Sequence, residues 1–366
     1  MTHSPPTITF LRAADQTPYA QSARPRKVTL KETMGARQSR LWVEFYDPPP
    51  SAPVYLGDLL EVWVEEIRFF RGPIEQIRQD SIDDRLTLYA EDDAARHYAY
   101  SAGGLFTDST PTEILTQLLA ESPIAYTPDP PSARHFSRLA FPAGPLIEAI
   151  DLLAKLAGNW AWDLADHQLR LRPLCANDAH HRRLVADRDT VNLWLTNQDR
   201  PAQVVFQTGL MNGAVRTSRL LNPNPHFPSE PTEVVYEAPP IQSPDALAAL
   251  RHSTLQHLLT PHYGHAIDLA GPQPHLRAGD GIRFSAPQWP WFPEAHCFRI
   301  KQRELRYAHE RYHTRLFLTT GHENGAGYFT YLKRKRTSTI AYQLAVSGAF
   351  QLDVSALDSD AHLDAA

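Results

Sequence analysis

GDLLEVWVEEIRFFRGPIEQIRQD (57–80) and GDGIRFSAPQWPWFPEAHCFRIKQREL (279–305) follow one plan. Each opens on a Gly-Asp pair, enters alternating apolar residues and reaches a Phe-Arg pair before more charged, strand-like sequence. In the first, Leu60, Val62 and Val64 fall on one face and Glu61, Trp63 and Glu65 on the other, the period of a half-buried β-strand. Gly57, Asp58, Gly279 and Asp280 are therefore read as the structural turns that open two like units.

The two Gly-Asp pairs stand 222 residues apart (279 minus 57). Glycine to Phe-Arg takes thirteen residues in the first unit (57 to 70) and nineteen in the second (279 to 298), the excess lying in APQWPWFPEA. Phe-Arg to Arg-Leu-x-Leu then takes fifteen (70 to 85) and seventeen (298 to 315). An aspartate stands eleven residues before Asp58 (Asp47) and twelve before Asp280 (Asp268). Order is kept while spacing drifts, as a duplicated β unit with variable turns would do. Gly-Asp turns are also common between strands, and coincidence stays open at this point.

The flanking sequence carries the same period. KVTLKETMGARQSRLWVEFYD (27–47) reads as two strands about a turn, with Leu41, Val43 and Phe45 on one face, and RLTLYAED (85–92) completes a meander of about five strands. Such a meander closes as a barrel or sandwich, because an open sheet leaves bare edges. At 108–122 the period changes: Ser109 or Thr110 is a cap, Glu113 follows, and Ile114, Leu115, Leu118 and Leu119 are helically spaced. A second helix carries the stripe Leu146, Ile147, Ile150, Leu153, Ala154 and Ala157, with Gly158 as its cap, and a hairpin follows. β-pattern resumes at Asp189, and a third helix (243–259) begins at Ser243 and stops at Pro261.

Composition sets the outer limits. Of 366 residues, 42% are hydrophobic and 21% charged, so a packed core is expected. Prolines number 31, clustered in DPPPSAP, TPDPPSA, NPNPHFPSEP and QWPWFPE, which reads as short strands joined by stiff loops. A formal charge of −5 argues against a dedicated nucleic-acid binder. Neither a signal peptide nor an apolar run long enough for a bilayer is evident, so a cytoplasmic, soluble chain is expected. Cys175 and Cys297 read as small buried hydrophobes, with neither disulfide framework nor zinc spacing.

No catalytic, cofactor or metal site emerges. HYGH (262–265) spaces its histidines without a helix to present them, HH (180–181) runs into two arginines, and AHERYH (308–313) reads as a charged hairpin turn. Glu65–Glu66 and Asp83–Asp84 are adjacent, so in strands they face opposite ways and cannot flank one glycosidic bond. The candidate contacts are two. QWPWFPE offers Trp289, Trp291 and Phe292 on a stiff loop, either as an interface anchor or tucked onto its own core. LKRKR, with Lys333, Arg334, Lys335 and Arg336, reads first as a protected edge strand and otherwise as a partner contact.

Across roughly residues 27–320, the Gly-Asp turn, the strands ending in RLTLYAED, the TPTEILTQLLAE helix and GPLIEAIDLLAKLAGNWAWDLADHQLRLRPL resemble the baseplate hub proteins of contractile phage tails. These are of the late control protein D type, a fold shared with the N-terminal part of VgrG spike proteins. Trp160 and Asp163 stand where that family has an aromatic and an acidic residue. The resemblance implies a β-rich α+β chain with two tube-type β-barrels from an internal duplication, a helix–hairpin α+β insert and an extra helix. The divisions are then a first barrel over 1–95, the insert over 96–175, a second barrel over 176–325 with an inserted loop and helix (243–260), and a tail over 326–366.

The function implied is structural, in a virion tail assembled in the host cytoplasm. A homotrimer with two barrels per chain meets a hexameric tail tube or tube-initiator protein as a pseudo-six-fold ring and a trimeric spike as a true three-fold one. Wedge and tape measure proteins are further partners, and DNA passes in transit. The alternatives are the hub of a bacterial contractile injection system, a carbohydrate-active or cell-wall-binding β-rich protein, or a monomeric carbohydrate-binding adhesin built of two β modules.

Overall fold

The computed structural model describes residues 4–22, 25–35, 39–45, 53–80, 85–92, 100–126, 134–165, 168–173, 180–185, 188–196, 201–223, 233–260, 262–290, 296–320, 328–329 and 332–335. Its first strands are β1 (Thr7–Leu11), β2 (Pro18–Ser22), β3 (Lys27–Thr33), β4 (Arg40–Phe45), β5 (Leu59–Val64), β6 (Ile67–Asp80) and β7 (Arg85–Glu91). Next come β8 (Ser101–Phe106), α1 (Pro111–Leu119), β9 (Ala125–Tyr126), β10 (Leu139–Pro145), α2 (Leu146–Gly158), β11 (Ala161–Ala165) and β12 (Gln168–Arg172). The remainder is β13 (His180–Arg183), β14 (Thr190–Thr196), β15 (Gln203–Met211), β16 (Ala214–Leu221), β17 (Glu233–Ala238) and α3 (Pro244–Leu259). β18 (His262–Ala270), β19 (Gly281–Ser285), β20 (Cys297–Ala308), β21 (Arg311–Thr319) and β22 (Lys333–Lys335) complete it. The chain is β-rich α+β, as expected.

Local chemistry explains the helices. Thr110 caps α1 in a capping box: its hydroxyl accepts from the Glu113 amide at 3.2 Å, and the Thr110 amide donates to Glu113 Oε2 at 2.8 Å. α2 ends at Gly158, the glycine read as its cap, whose φ of 120° has departed from helical backbone, and Asn159 follows in the left-handed region with φ 61°. α3 starts after Ser243, whose side chain makes no capping bond.

One sheet of 13 strands dominates, in the order β14-β18-β21-β20-β3-β4-β7-β6-β5-β1-β2, with β19 on β20 and β13 on β19. Within it, β3-β4-β7-β6-β5 and β14-β18-β21-β20-β19 have the same order relative to the chain. The register carries the match further. Gly57 N donates to Ile74 O (2.9 Å) and Ile74 N to Asp58 O (2.8 Å); Gly279 N donates to Ile300 O (2.7 Å) and Ile300 N to Asp280 O (2.9 Å). A β-bulge follows in each long strand, between Ile74 and Gln76 and between Ile300 and Gln302.

This pairing corrects three spacings read from the sequence. Phe298 and Arg299 stand where the first group has Gly72 and Pro73, so the two Phe-Arg pairs are not equivalent. Arg315 matches Thr87, not Arg85. Asp268 matches Glu44, since these face Arg315 and Thr87 respectively. The bulges and longer hairpin slip the register, and such slips are invisible to a count of residues. The hairpin β1–β2 had no expected role, yet Ile8 and Phe10 are fully buried and β1 pairs with β5.

Three cores result. The first five-strand group buries Phe10, Val43, Phe45, Val62 and Phe70, with Leu305, Tyr307 and Tyr312 from the β20–β21 hairpin completing it. The second buries Ile267, Ile282, Phe284, Phe298, Ile300 and Leu316. The largest joins α1, α2 and the β11–β12 hairpin to β15, β17, α3, Tyr328, Phe329 and Leu332. Thus α3, expected as an insertion of the second unit, packs with the helix–hairpin segment. Tyr328, assigned to the C-terminal tail, is 0% exposed.

Candidate functional site

The two Gly-Asp turns are built alike and point to different partners. In each, the Asp amide donates to the residue three back: Asp58 N to Tyr55 O at 3.3 Å and Asp280 N to Arg277 O at 3.2 Å. The glycine at the third position has φ +86° at Gly57 and +88° at Gly279, which a type II turn requires. The aspartate then accepts back from the first residue, at 3.2 Å from Tyr55 N and 2.7 Å from Arg277 N. Both carboxylates are buried, and each spends its remaining acceptor capacity on a neighbouring element.

Asp58 holds the β1–β2 hairpin, accepting from Tyr19 Oη at 2.7 Å and Ala13 N at 3.2 Å. Asp280 holds the β11–β12 hairpin: Arg172 Nη2 lies 2.9 Å from its Oδ1, and His180 Nε2 3.5 Å from its Oδ2. Arg172 also reaches Asp163 Oδ2 at 3.3 Å, and Arg170 Nε donates to Asp163 Oδ1 at 2.7 Å. Burial pushes the Asp163 carboxyl up, while the two guanidiniums pull the other way. Asp163 is therefore the pivot between the hairpin and the second turn, and Trp160 lies half-buried against the adjoining core.

Between the two five-strand groups runs the joint β20·β3, antiparallel from Gln302↔Thr33 to Ala308↔Lys27. Arg303, fully buried, pairs with Glu32 at 2.8 Å, donates to Leu276 O at 2.6 Å, and lies 4.8 Å from the Phe69 ring centroid. Arg277 also lies over that ring, 5.6 Å from its centroid, and donates to Arg68 O (2.6 Å) and Phe69 O (3.1 Å). A planar guanidinium can stack and donate at once, which makes arginine suited to such a joint. Glu32, Phe69, Arg277 and Arg303 had no place in the sequence reading. The signal for Arg303 was its position in the alternation of β20, where the expected inward residue is apolar.

Of the candidate contacts, Trp289 is half-buried and packs against the second core. Trp291 and Phe292 lie outside the described residues, as does Arg336. The backbone of Lys333, Arg334 and Lys335 forms β22, the edge of the sheet β16-β15-β17-β22. Glu65 and Glu66 form the β5–β6 turn with φ 49° and 68°, and Asp83–Asp84 lie outside the described residues. His309 and Glu310 form the β20–β21 turn, while His262 and His265 belong to β18. Cys297 is disulfide-bonded, which corrects its reading as a free buried hydrophobe. Cys175 lies outside the described residues. Among the described residues, no group of three or more His, Cys, Asp or Glu is placed to hold a metal. No helix among them is long and apolar enough to cross a membrane. The charges around both turns are consumed in holding elements together.

Solved structures share this architecture. The fold is that of phage tail baseplate hub and VgrG-like proteins. A tail protein from Neisseria meningitidis MC58 superimposes with a TM-score of 0.63 at 11% identity, covering 86% of this chain and 96% of that one. The 43 kDa tail protein of prophage MuSo2 from Shewanella oneidensis gives 0.60 at 11% identity, over 86% and 98%. Prophage tail protein gp18 from Listeria monocytogenes EGD-e gives 0.53 at 10% identity, over 93% and 98%. No protein-family model matches the sequence, and no curated protein matches it.

Proposed function

We propose that the chain is a structural baseplate hub of a contractile phage tail. Three copies form a ring in which each supplies two barrel-like units, descended from one duplicated module. The ring meets a six-fold tail tube on one side and a trimeric spike on the other, and leaves a channel through which DNA passes. Virion tail is the location, and no bond is made or broken.

The observation that supports this best is the repeated strand order with the same turn, the same cross-strand bonds and the same bulge. A single chain with two quasi-equivalent units is what a three-fold assembly needs in order to present six similar seats. The tail proteins of like fold support the setting. The divisions are proposed as 1–95 and 176–325 for the units, 96–175 for the insert and 326–366 for the end. Gly57, Asp58, Gly279 and Asp280 set the turns. Trp289, Trp291 and Phe292, with Lys333 to Arg336, contact the spike, the tube or a wedge protein. A hub of a bacterial contractile injection system has the same physics, and a VgrG complex from Francisella gives a TM-score of 0.50 over 91% of this chain.

The test is the native mass of the full chain by mass spectrometry, beside particle images viewed down the axis. Three chain masses and a central pore with six similar lobes are expected. A single chain mass at every concentration removes the ring and with it the hub.

A further inference from the structure

We infer that residues 76–80 of β6 form a sheet joint with β14 of a second copy, repeating between chains the joint that β20 and β3 make within one. The inference rests on the ring reading above and identifies its contact strands.

Equivalence of the two strand groups defines two unfilled positions. In the second group, β20 carries β19 along its first part and β3 along its second, on the same edge. In the first group, β6 carries β5 only as far as Pro73. Beyond it, no described strand occupies that edge. At the far end of the sheet, β14 is the counterpart of β3, and it pairs only with β18 among the described strands. Among the described strands, each chain thus has one open seat of the β20 kind and one open strand of the β3 kind. Such complementary, non-identical ends join head to tail, and a head-to-tail contact closes into a ring when the rotation permits.

Burial marks the same place. Residues 75–79 are exposed in unbroken succession, on both faces of the strand. Their counterparts in β20 are covered, with Arg303, Glu304 and Leu305 buried. A long bare edge is a liability that proteins normally cover or charge. Here it carries Ile77, 36% exposed.

The register follows from the internal joint. Gln302↔Thr33, Arg303↔Glu32 and Leu305↔Leu30 within the chain become Gln76↔Thr196, Ile77↔Leu195 and Gln79↔Leu193 between chains. At the second of these, both members change character together: a buried charge pair in one joint is replaced by two apolar residues in the other. Arg78 falls opposite Trp194, where Glu304 meets Lys31 in the internal joint. Matched replacement on two strands 118 residues apart (195 minus 77) is expected if they face each other and has no cause if they do not.

The experiment uses the full chain carrying Ile77→Cys and Leu195→Cys together. Residues directly opposite in a sheet have Cβ atoms about 4.5–5.5 Å apart, within a small adjustment of disulfide geometry. Under oxidation, a non-reducing gel is expected to show a ladder that stops at three chain masses, absent from either single variant. Trimers by native mass with no ladder above those controls overturn this pairing and leave the ring intact. Single chains by native mass overturn both. A second variant, Ile77→Lys with Gln79→Lys, adds charge only at exposed positions. Its circular dichroism should be unchanged while its mass drops to one chain; retention of the trimer overturns the pairing.

Discussion

Replacing Gly279 by alanine, beside the same change at Gly57, separates the two roles of the Gly-Asp turn. Both glycines have φ near +87°, so each alanine carries the backbone cost of a positive φ, about 1–2 kcal/mol. Their surroundings differ. A Cβ on Gly57 meets nothing within 4 Å. A Cβ on Gly279 falls 2.8 Å from Asp163 Oδ2, a carboxylate locked by Arg170 and Arg172 and unable to swing aside without loosening both pairs. Disturbing a buried ion pair costs about 3–5 kcal/mol when one partner is lost, and a displaced carboxylate forfeits part of that. We therefore expect Gly57→Ala to cost about 1–2 kcal/mol and Gly279→Ala about twice as much. In thermal unfolding, each kcal/mol corresponds to a shift on the order of 2 °C for a large chain. Equal shifts for the two variants would refute the reasoning, because the asymmetry comes only from Asp163.

Three further outcomes follow from buried groups. Burial holds the His265 imidazole down to about 4, so between the ordinary 6.5 and 4 the unfolded chain takes a proton that the folded chain refuses. Stability is accordingly lost as pH falls through that window, by on the order of 3 kcal/mol, and His265→Leu, the residue present at the matching Leu41, should flatten the slope in urea titrations at pH 7 and 4.5. Arg299 is 1% exposed, its guanidinium pushed down to about 9 by burial, and neither terminal nitrogen finds a partner among the described residues. Arg299→Met should stabilise the fold by about 1–3 kcal/mol and so raise the unfolding midpoint, since a desolvated charge gives way to an apolar side chain; a lowered midpoint would contradict this. Tyr328 is wholly buried, stacked on His257 and bonded to Ser253 Oγ at 2.8 Å. Tyr328→Phe should cost about 1 kcal/mol and Tyr328→Ala about 3–5 kcal/mol, and an unchanged midpoint for the alanine variant would mean that Tyr328 is not core.

Local order was legible where one period governs one element. The alternation Leu41, Val43, Phe45 lies inward in β4, the stripe of α2 is buried, and Thr110 with Glu113 begins α1, because each of these signals depends on residues within a few positions. The two Gly-Asp turns belong here too, since positive φ and an aspartate returning to its own turn are local requirements. What pairs with what was a matter for the tertiary structure. The true match of the two groups runs through Ile74 and Ile300, and a single bulged residue in each strand displaces every later correspondence that counting had proposed. The tie of Asp280 to Arg172, the stacking of Arg277 and Arg303 on Phe69, and the seat of α3 beside α2 each join residues far apart in the chain. Alternation tells which face of a strand is buried, but a strand has two edges whose hydrogen bonds accept any sequence, and only the folded chain decides which neighbour each edge receives.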